Sequence, residues 1–126
     1  MSQIAWLRTS YWMGAIADAV TGALILIPSR MGETDFRYPM GLAAALMFGW
    51  TVLLLWADRN PVERKGILLI TVFPVIAGLF LAGVYAYGVG LLPGWRVMVG
   101  SIVCVGLAVL MLYSYLNARG LETGGA

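Results

Sequence analysis

An acid in the middle of an apolar stretch is the strongest chemical signal in this chain. Asp18 stands in Gly14-Ala-Ile-Ala-Asp18-Ala-Val-Thr21-Gly22, with no other charge between Thr9 and Ile27. A carboxylate at the centre of a bilayer costs about 2.5–3.5 kcal/mol on insertion scales, so an acid retained there faces protein rather than lipid. No Lys or Arg lies within an apolar run, which removes an ion pair in the membrane inside one chain. Three states remain for Asp18: a carboxyl that keeps its proton, one hydrogen-bonded to Thr21, Thr51, Thr71, Tyr85 or Ser101, or one reached by water in a cavity. They correspond to three roles: a residue that fixes helix register, a proton- or cation-binding site, and a contact with a partner subunit. Gly14, Thr21 and Gly22 share the stretch and complete this candidate site.

The second concentration of charge is Trp56-Ala-Asp58-Arg59-Asn60-Pro61-Val-Glu63-Arg64-Lys65. Asn60 followed by Pro61 and Glu63 reads as an N-cap, a proline at the first helical position and a capping-box acid. Capping and charge asymmetry across a membrane account for every residue of the segment. A functional alternative gives Asp58, Arg59, Glu63, Arg64 and Lys65 to docking of a cytoplasmic partner or anionic lipid headgroups.

Other chemistry has little to work with. The chain has no histidine and one cysteine, Cys104, inside an apolar run. His-ligated haem, His-based zinc and a disulfide within the chain are thereby excluded. No nucleophile–base pair, metal-ligand spacing or phosphate loop is legible, so neither catalysis nor a metal or other cofactor is expected. The net charge of +2 and the lack of a basic run argue against nucleic acid.

The elements that must position Asp18 follow from composition. Hydrophobic residues make up 61% of the 126, charged residues 11%, and mean hydropathy is +0.88. Soluble domains carry about 25% charged residues, so the sequence implies one membrane-embedded domain over 1–126. Four apolar runs, each near the roughly 20 residues that cross a bilayer as helix, predict helices over about 10–28, 39–57, 61–88 and 95–118, then a short tail over 119–126. The fold class is all-α, an integral membrane four-helix bundle. Pro74 removes a donor from the third helix and frees the Ile70 carbonyl, which Thr71 is placed to satisfy, so a kink is expected. Aromatic residues including Tyr11 cluster near the helix ends as interfacial anchors, with Trp50 deeper in the second helix.

Each helix carries small residues spaced by four: Gly14-Asp18-Gly22, Gly41-Ala45-Gly49, Gly78-Ala82-Ala86 and Gly100-Cys104-Ala108. Close approach through small residues is a main source of packing energy between helices in lipid, so these rows predict a compact bundle with Asp18 on a packing face.

Two families share parts of this pattern. A glycine-containing first helix, Pro28, a Gly/Ala-rich second helix ending Leu54-Leu55-Trp56-Ala57-Asp58-Arg59, then Pro61 and Arg64-Lys65, resembles small four-helix bacterial membrane proteins of the DoxX-like type over residues 10 to 90. That resemblance implies an accessory or scaffold role, in some cases beside multi-subunit redox systems. Tyr11-Trp-Met-Gly14-Ala-Ile-Ala-Asp18-Ala-Val-Thr-Gly22 is similar to the first helix of small multidrug resistance transporters, which match in length and helix number and use an acid there. Their acid is glutamate, and here it stands one place early relative to the Gly-Ala-Ile triplet. The sequence thus supports a structural, assembly or accessory subunit, with a proton- or cation-coupled small transporter using Asp18 as the alternative. The expected partners are the lipid bilayer and a second copy or a membrane subunit.

Arg8, Arg59, Arg64, Lys65 and Arg119 fall on the side of both termini, against Arg30, Arg37 and Arg96 on the other. This asymmetry places both termini in the cytoplasm of a plasma (inner) membrane. A reporter active only in the cytoplasm, fused after Ala126, is expected to be active; silence of that fusion beside an active periplasmic reporter reverses the orientation.

Overall fold

Ser2 opens the first helix from extended backbone, its Oγ accepting the Ala5 N–H at 3.2 Å. The chain is seen here in a computed structural model that describes residues 2–27 and 34–121. Four helices follow one another: α1 over Gln3–Ile25, α2 over Thr34–Asp58, α3 over Gly66–Gly88 and α4 over Gly94–Asn117. There is no strand among the described residues. The expected stop at Pro28 to Gly32, the first-loop acid Glu33 and the tail beyond Leu121 lie outside them.

Three helix starts differ from expectation. α2 begins at Thr34 rather than at 39, and Pro39 lies inside it. α1 begins at Gln3 rather than near residue 10, because the Ser2 cap and the helix-compatible Gln3, Arg8 and Thr9 let the helix run ahead of its apolar stretch. α3 begins at Gly66 rather than Pro61, and 61–65 form a turn. The Pro61 carbonyl, which a helix starting there would use internally, instead accepts the Tyr11 hydroxyl at 2.8 Å. The Lys65 N–H then reaches the Val62 carbonyl, and no side chain caps α3. The Asn60–Glu63 capping box is therefore not formed.

Pro74 shapes the middle of α3. Over Thr71–Ile76 the helix widens into a π turn, and the Ala77 N–H bonds the Val72 carbonyl five residues back. The wider turn accommodates the proline ring and its missing donor. Thr71 does not serve Ile70; its hydroxyl donates to the Ile67 carbonyl at 2.8 Å and accepts from the Trp50 indole N–H at 3.0 Å. At the far end of α3, Gly90 takes φ +79°, with Gly90 N–H on Tyr87 and Leu91 N–H on Ala86 carbonyls. That paired pattern closes a helix on a left-handed residue, where glycine escapes the steric cost of a Cβ.

In space α1 is the central helix, packed along α2 on one side and α4 on another, while α3 packs on α4 and barely meets α2. The Trp50–Thr71 bond is the hydrogen bond that joins α2 to α3. Burial is concentrated at the end that holds the described termini: Leu7, Tyr11, Ala15, Leu54, Ala57, Leu68, Met111 and Ala118 are all but fully enclosed. At the other end the helices splay. No residue of Ala77–Gly88 is buried, and α4 buries only Met111 and Ser114 along its length.

Three helices, α2, α3 and α4, are long and apolar enough to cross a membrane. α1 is not among them, since Arg8, Asp18 and its hydroxyl residues dilute its apolar character. It is also the helix with the most protein around it, and its polar groups are used in packing. Ser10 Oγ lies 2.6 Å from Ser114 Oγ, Ser114 donates to the Trp6 carbonyl at 3.0 Å, and Gln3 reaches the Asn117 carbonyl at 2.7 Å. Thr51 ties α2 to α1 through the Ala15 carbonyl at 3.3 Å.

Of the four small-residue rows, only that of α1 has its glycines packed, although Cys104 and Ala108 of the α4 row lie against the core. Gly14 and Gly22 are buried, whereas a Cβ at Gly41, Gly49, Gly78 or Gly100 would meet nothing within 4 Å. The splay leaves those rows on outer or cavity-facing surfaces. Tyr11, expected at an interface, is wholly buried instead.

Tyr11→Phe keeps the ring and removes the bond to Pro61. It is expected to lower unfolding free energy by about 0.5–1.5 kcal/mol in detergent denaturation, the usual net worth of one hydrogen bond. Unchanged stability would mean that the 61–65 turn is held by other contacts.

Candidate functional site

Gly14 brings three helices together at the base of the splayed half. A Cβ there would stand 2.6 Å from Met111 Cε and 2.9 Å from Leu54 Cδ1, distances that force both side-chain ends to move. One turn further along α1, a cavity of about 620 Å³ opens on the side facing α3 and α4, while Gly22 stays packed on Phe48 of α2. Asp18 and Thr21 line it from α1, Met47 from α2, Thr71 and Phe80 from α3, and Ser101 and Cys104 from α4. Its size falls in the range of small-molecule sites, and its walls are largely apolar with a few convergent polar groups.

Asp18 is half-buried, but its Oδ2 is fully enclosed and has no hydrogen-bond partner. The candidates named from sequence are engaged elsewhere or turned away. Thr51 bonds the Ala15 and Met47 carbonyls, Thr71 bonds Ile67 and Trp50, and Tyr85 is 70% exposed. Thr21 and Ser101 share the cavity with Asp18 without bonding Oδ2. Arg96, at the opposite end of the cavity, is exposed and lies over the Trp95 ring at 5.4 Å. Counting a 1.5 Å rise from the level where Gly14 meets Met111, Asp18 and Arg96 stand about 16 Å apart along the bundle, too far for an ion pair. A buried acceptor without a donor costs free energy on the order of 1–3 kcal/mol, more for a charge, so this position is satisfied best by something that enters the cavity.

The second candidate cluster folds back onto the protein. Asp58 accepts the Trp12 indole N–H at 3.2 Å and lies 3.8 Å from Arg8 Nε. Arg64 stacks over the Trp56 ring at 3.4 Å and donates to the Trp56 carbonyl. Lys65 Nζ donates to the carbonyls of Ala118 at 3.0 Å and Leu121 at 2.8 Å, neutralising the negative end of α4. Arg59 and Glu63 point outward. The structure thus separates the five residues into three that brace the tight end and two that face away from it.

Several contributors were missed from sequence. Ser10 extends the Gly14-Asp18-Gly22 row by one more step of four, a signal that was present. Trp50, noted as unusually deep, earns its depth through the Thr71 bond. Phe80 and Cys104 had no signal that set them apart from other apolar positions. No known family model, characterised protein or solved structure matches this chain.

Since Oδ2 makes no bond, Asp18→Asn removes nothing that holds the fold. Its melting temperature in detergent is expected to equal or exceed that of the wild type. A fall of several degrees would identify the carboxylate as a structural bonding group.

Proposed function

We propose that the chain is an integral membrane protein with four spanning helices, whose splayed half binds a small ligand at Asp18 and couples its movement to a proton or cation. The observation that carries this reading is the enclosed, unpartnered Oδ2 at the floor of a cavity of about 620 Å³. A carboxyl in such a place exchanges a proton for a cationic ligand with no loss of internal bonds. The membrane placement is supported by three helices of sufficient length and apolarity. α1 is grouped with them because Ser10 and Gln3 bond to α4 and its Ala15 carbonyl accepts from Thr51 of α2. The described ends of the chain, Ser2 and Leu121, lie at the tight end with Arg8, Arg59, Arg64 and Lys65, and that end takes the cytoplasmic side of the inner membrane on the positive-inside rule.

A second reading, an accessory or assembly subunit, draws on a different observation. The rows at Gly41-Ala45-Gly49 and Gly78-Ala82-Ala86 meet nothing within the chain at their glycines and suit close approach by another helix.

Proton release separates the two. In weakly buffered detergent, tetraphenylphosphonium added to the wild type is expected to release up to about one proton per chain, and Asp18→Asn to release none. Folded wild-type protein that releases no proton rejects the coupled site and leaves the accessory role.

A further inference from the structure

Lys65 stands where the start of α3 meets the end of α4. Its Nζ donates to the Ala118 and Leu121 carbonyls at 3.0 and 2.8 Å, so two of its three N–H groups end on neutral oxygens. Arg119, one residue beyond Ala118, is exposed. Among the described residues the ion pair with a carboxylate is that of Arg8 with Asp58, and neither Lys65 nor Arg119 has one. A helix end carries about half an elementary negative charge, which offsets part of one ammonium and leaves this corner positive.

Deeper along the same seam, on the outer face of the bundle, runs a groove of about 330 Å³. Its floor is formed by Val72, Ile76, Cys104 and Ala108, and its rims by the exposed Phe73 and Val105. The lining is entirely aliphatic, aromatic or thiol. At 1.5 Å per residue, Val72 stands about 10 Å from the level of Lys65, and Ala108 about 15 Å from that of Ala118. The chains of one leaflet reach half of a hydrocarbon core of roughly 30 Å, so a lipid whose headgroup stands at Lys65 lays the end of its chain in this groove.

We infer that one anionic phospholipid of the leaflet at the tight end docks on the α3–α4 seam, its phosphate between Lys65 and Arg119 and one acyl chain along the groove. The inference uses the membrane placement given above and is independent of the ligand site at Asp18. Lys65 offers its third N–H as a point charge, and Arg119 offers a fork of donors that matches phosphate oxygens. The chain gains van der Waals contact with a fixed wall in place of fluid lipid. The opposite leaflet has no equivalent on this seam, because Arg96 lies over the Trp95 ring and lines the inner cavity.

Native mass spectrometry of the full chain released from non-ionic detergent tests the site, with dioleoylphosphatidylglycerol and dioleoylphosphatidylcholine as probes. The two lipids share their chains and phosphate and differ in net charge. The wild type is expected to retain one phosphatidylglycerol about fivefold more tightly than phosphatidylcholine, and Arg119→Gln and Lys65→Gln each to remove most of that preference. If Lys65→Gln loses the fold, Arg119→Gln decides alone. Arg59→Gln, at the end of α2 and away from the seam, is expected to keep the preference. Ala77→Phe and Ala108→Phe fill the groove from α3 and α4, and each is expected to weaken both lipids by about threefold while leaving the preference intact. Equal retention of the two lipids by the wild type overturns the headgroup site. A preference that falls as far in Arg59→Gln as in Arg119→Gln belongs to the whole charged end and overturns the seam as its location. Retention unchanged in both groove variants overturns the placement of the chain. A chain that stays in solution without detergent overturns the membrane placement and this inference with it, whereas none of the lipid results bears on Asp18.

Discussion

The packing of α1 against two neighbours at once is the constraint on which the other helices depend. Ser10 and Gly14 present almost no side-chain bulk, so α4 can approach until the Ser10 and Ser114 hydroxyls lie 2.6 Å apart and Met111 rests over the glycine. On its other flank Ala15 is close enough for Thr51 to reach its carbonyl. α2 and α4 thereby take their positions from α1 rather than from each other. α3 is seated through α4 and through the Trp50–Thr71 bond. A larger residue at Gly14 would press on Leu54 and Met111 together, which is why this one glycine governs three helices.

Polar groups are distributed unevenly as a result. At the tight end, each hydroxyl of α1 that points inward has a partner, and the loop basic residues are spent on carbonyls and a ring. Lys65 binds two carbonyls beyond the end of α4, and Tyr11 takes the carbonyl of Pro61. At the splayed end the packing density falls, and Asp18 is left in a space that contains hydroxyls but no bond to its enclosed oxygen. Two buried side-chain oxygens among the described residues make no hydrogen bond: Asp58 Oδ1, which has Arg8 Nε 3.8 Å away, and Asp18 Oδ2, which has no ion pair. Natural structures satisfy nearly all buried polar atoms, so Asp18 marks where the interior was shaped for something other than its own stability.

How much of this was readable in the sequence depended on range. Helix number and the apolar centres of α2, α3 and α4 follow from local composition. The start of α3 did not, because the Asn60-Pro61-Val62-Glu63 pattern is a sound local signal that a distant hydroxyl, that of Tyr11, displaces. The four small-residue rows looked equivalent, yet only the row on α1 has its glycines packed, since the splay of the other helices is a tertiary outcome that no single row encodes. Asp18 was visible as an anomaly; the cavity in front of it was not, because its walls come from four helices and consist mostly of residues that resemble any other apolar position. Phe80 and Cys104 acquire meaning only from where α3 and α4 diverge.

The π turn at Thr71–Ile76 divides α3 into two mechanically unlike parts. Gly66–Ile70 is anchored through Leu68 in the shared core, whereas Ala77–Gly88 buries nothing and is held mainly along α4. Local opening takes least free energy where few buried contacts are broken, so the second part is the less firmly held one and the π turn is the boundary between them. Through the short turn at Gly90, the second part is continuous with the start of α4, where Trp95 and Arg96 stand. The outer part of α3, the Gly90 turn and the first turn of α4 together form the rim of the cavity, with Arg96 on it, while the braced end of the bundle lies on the other side of the π turn.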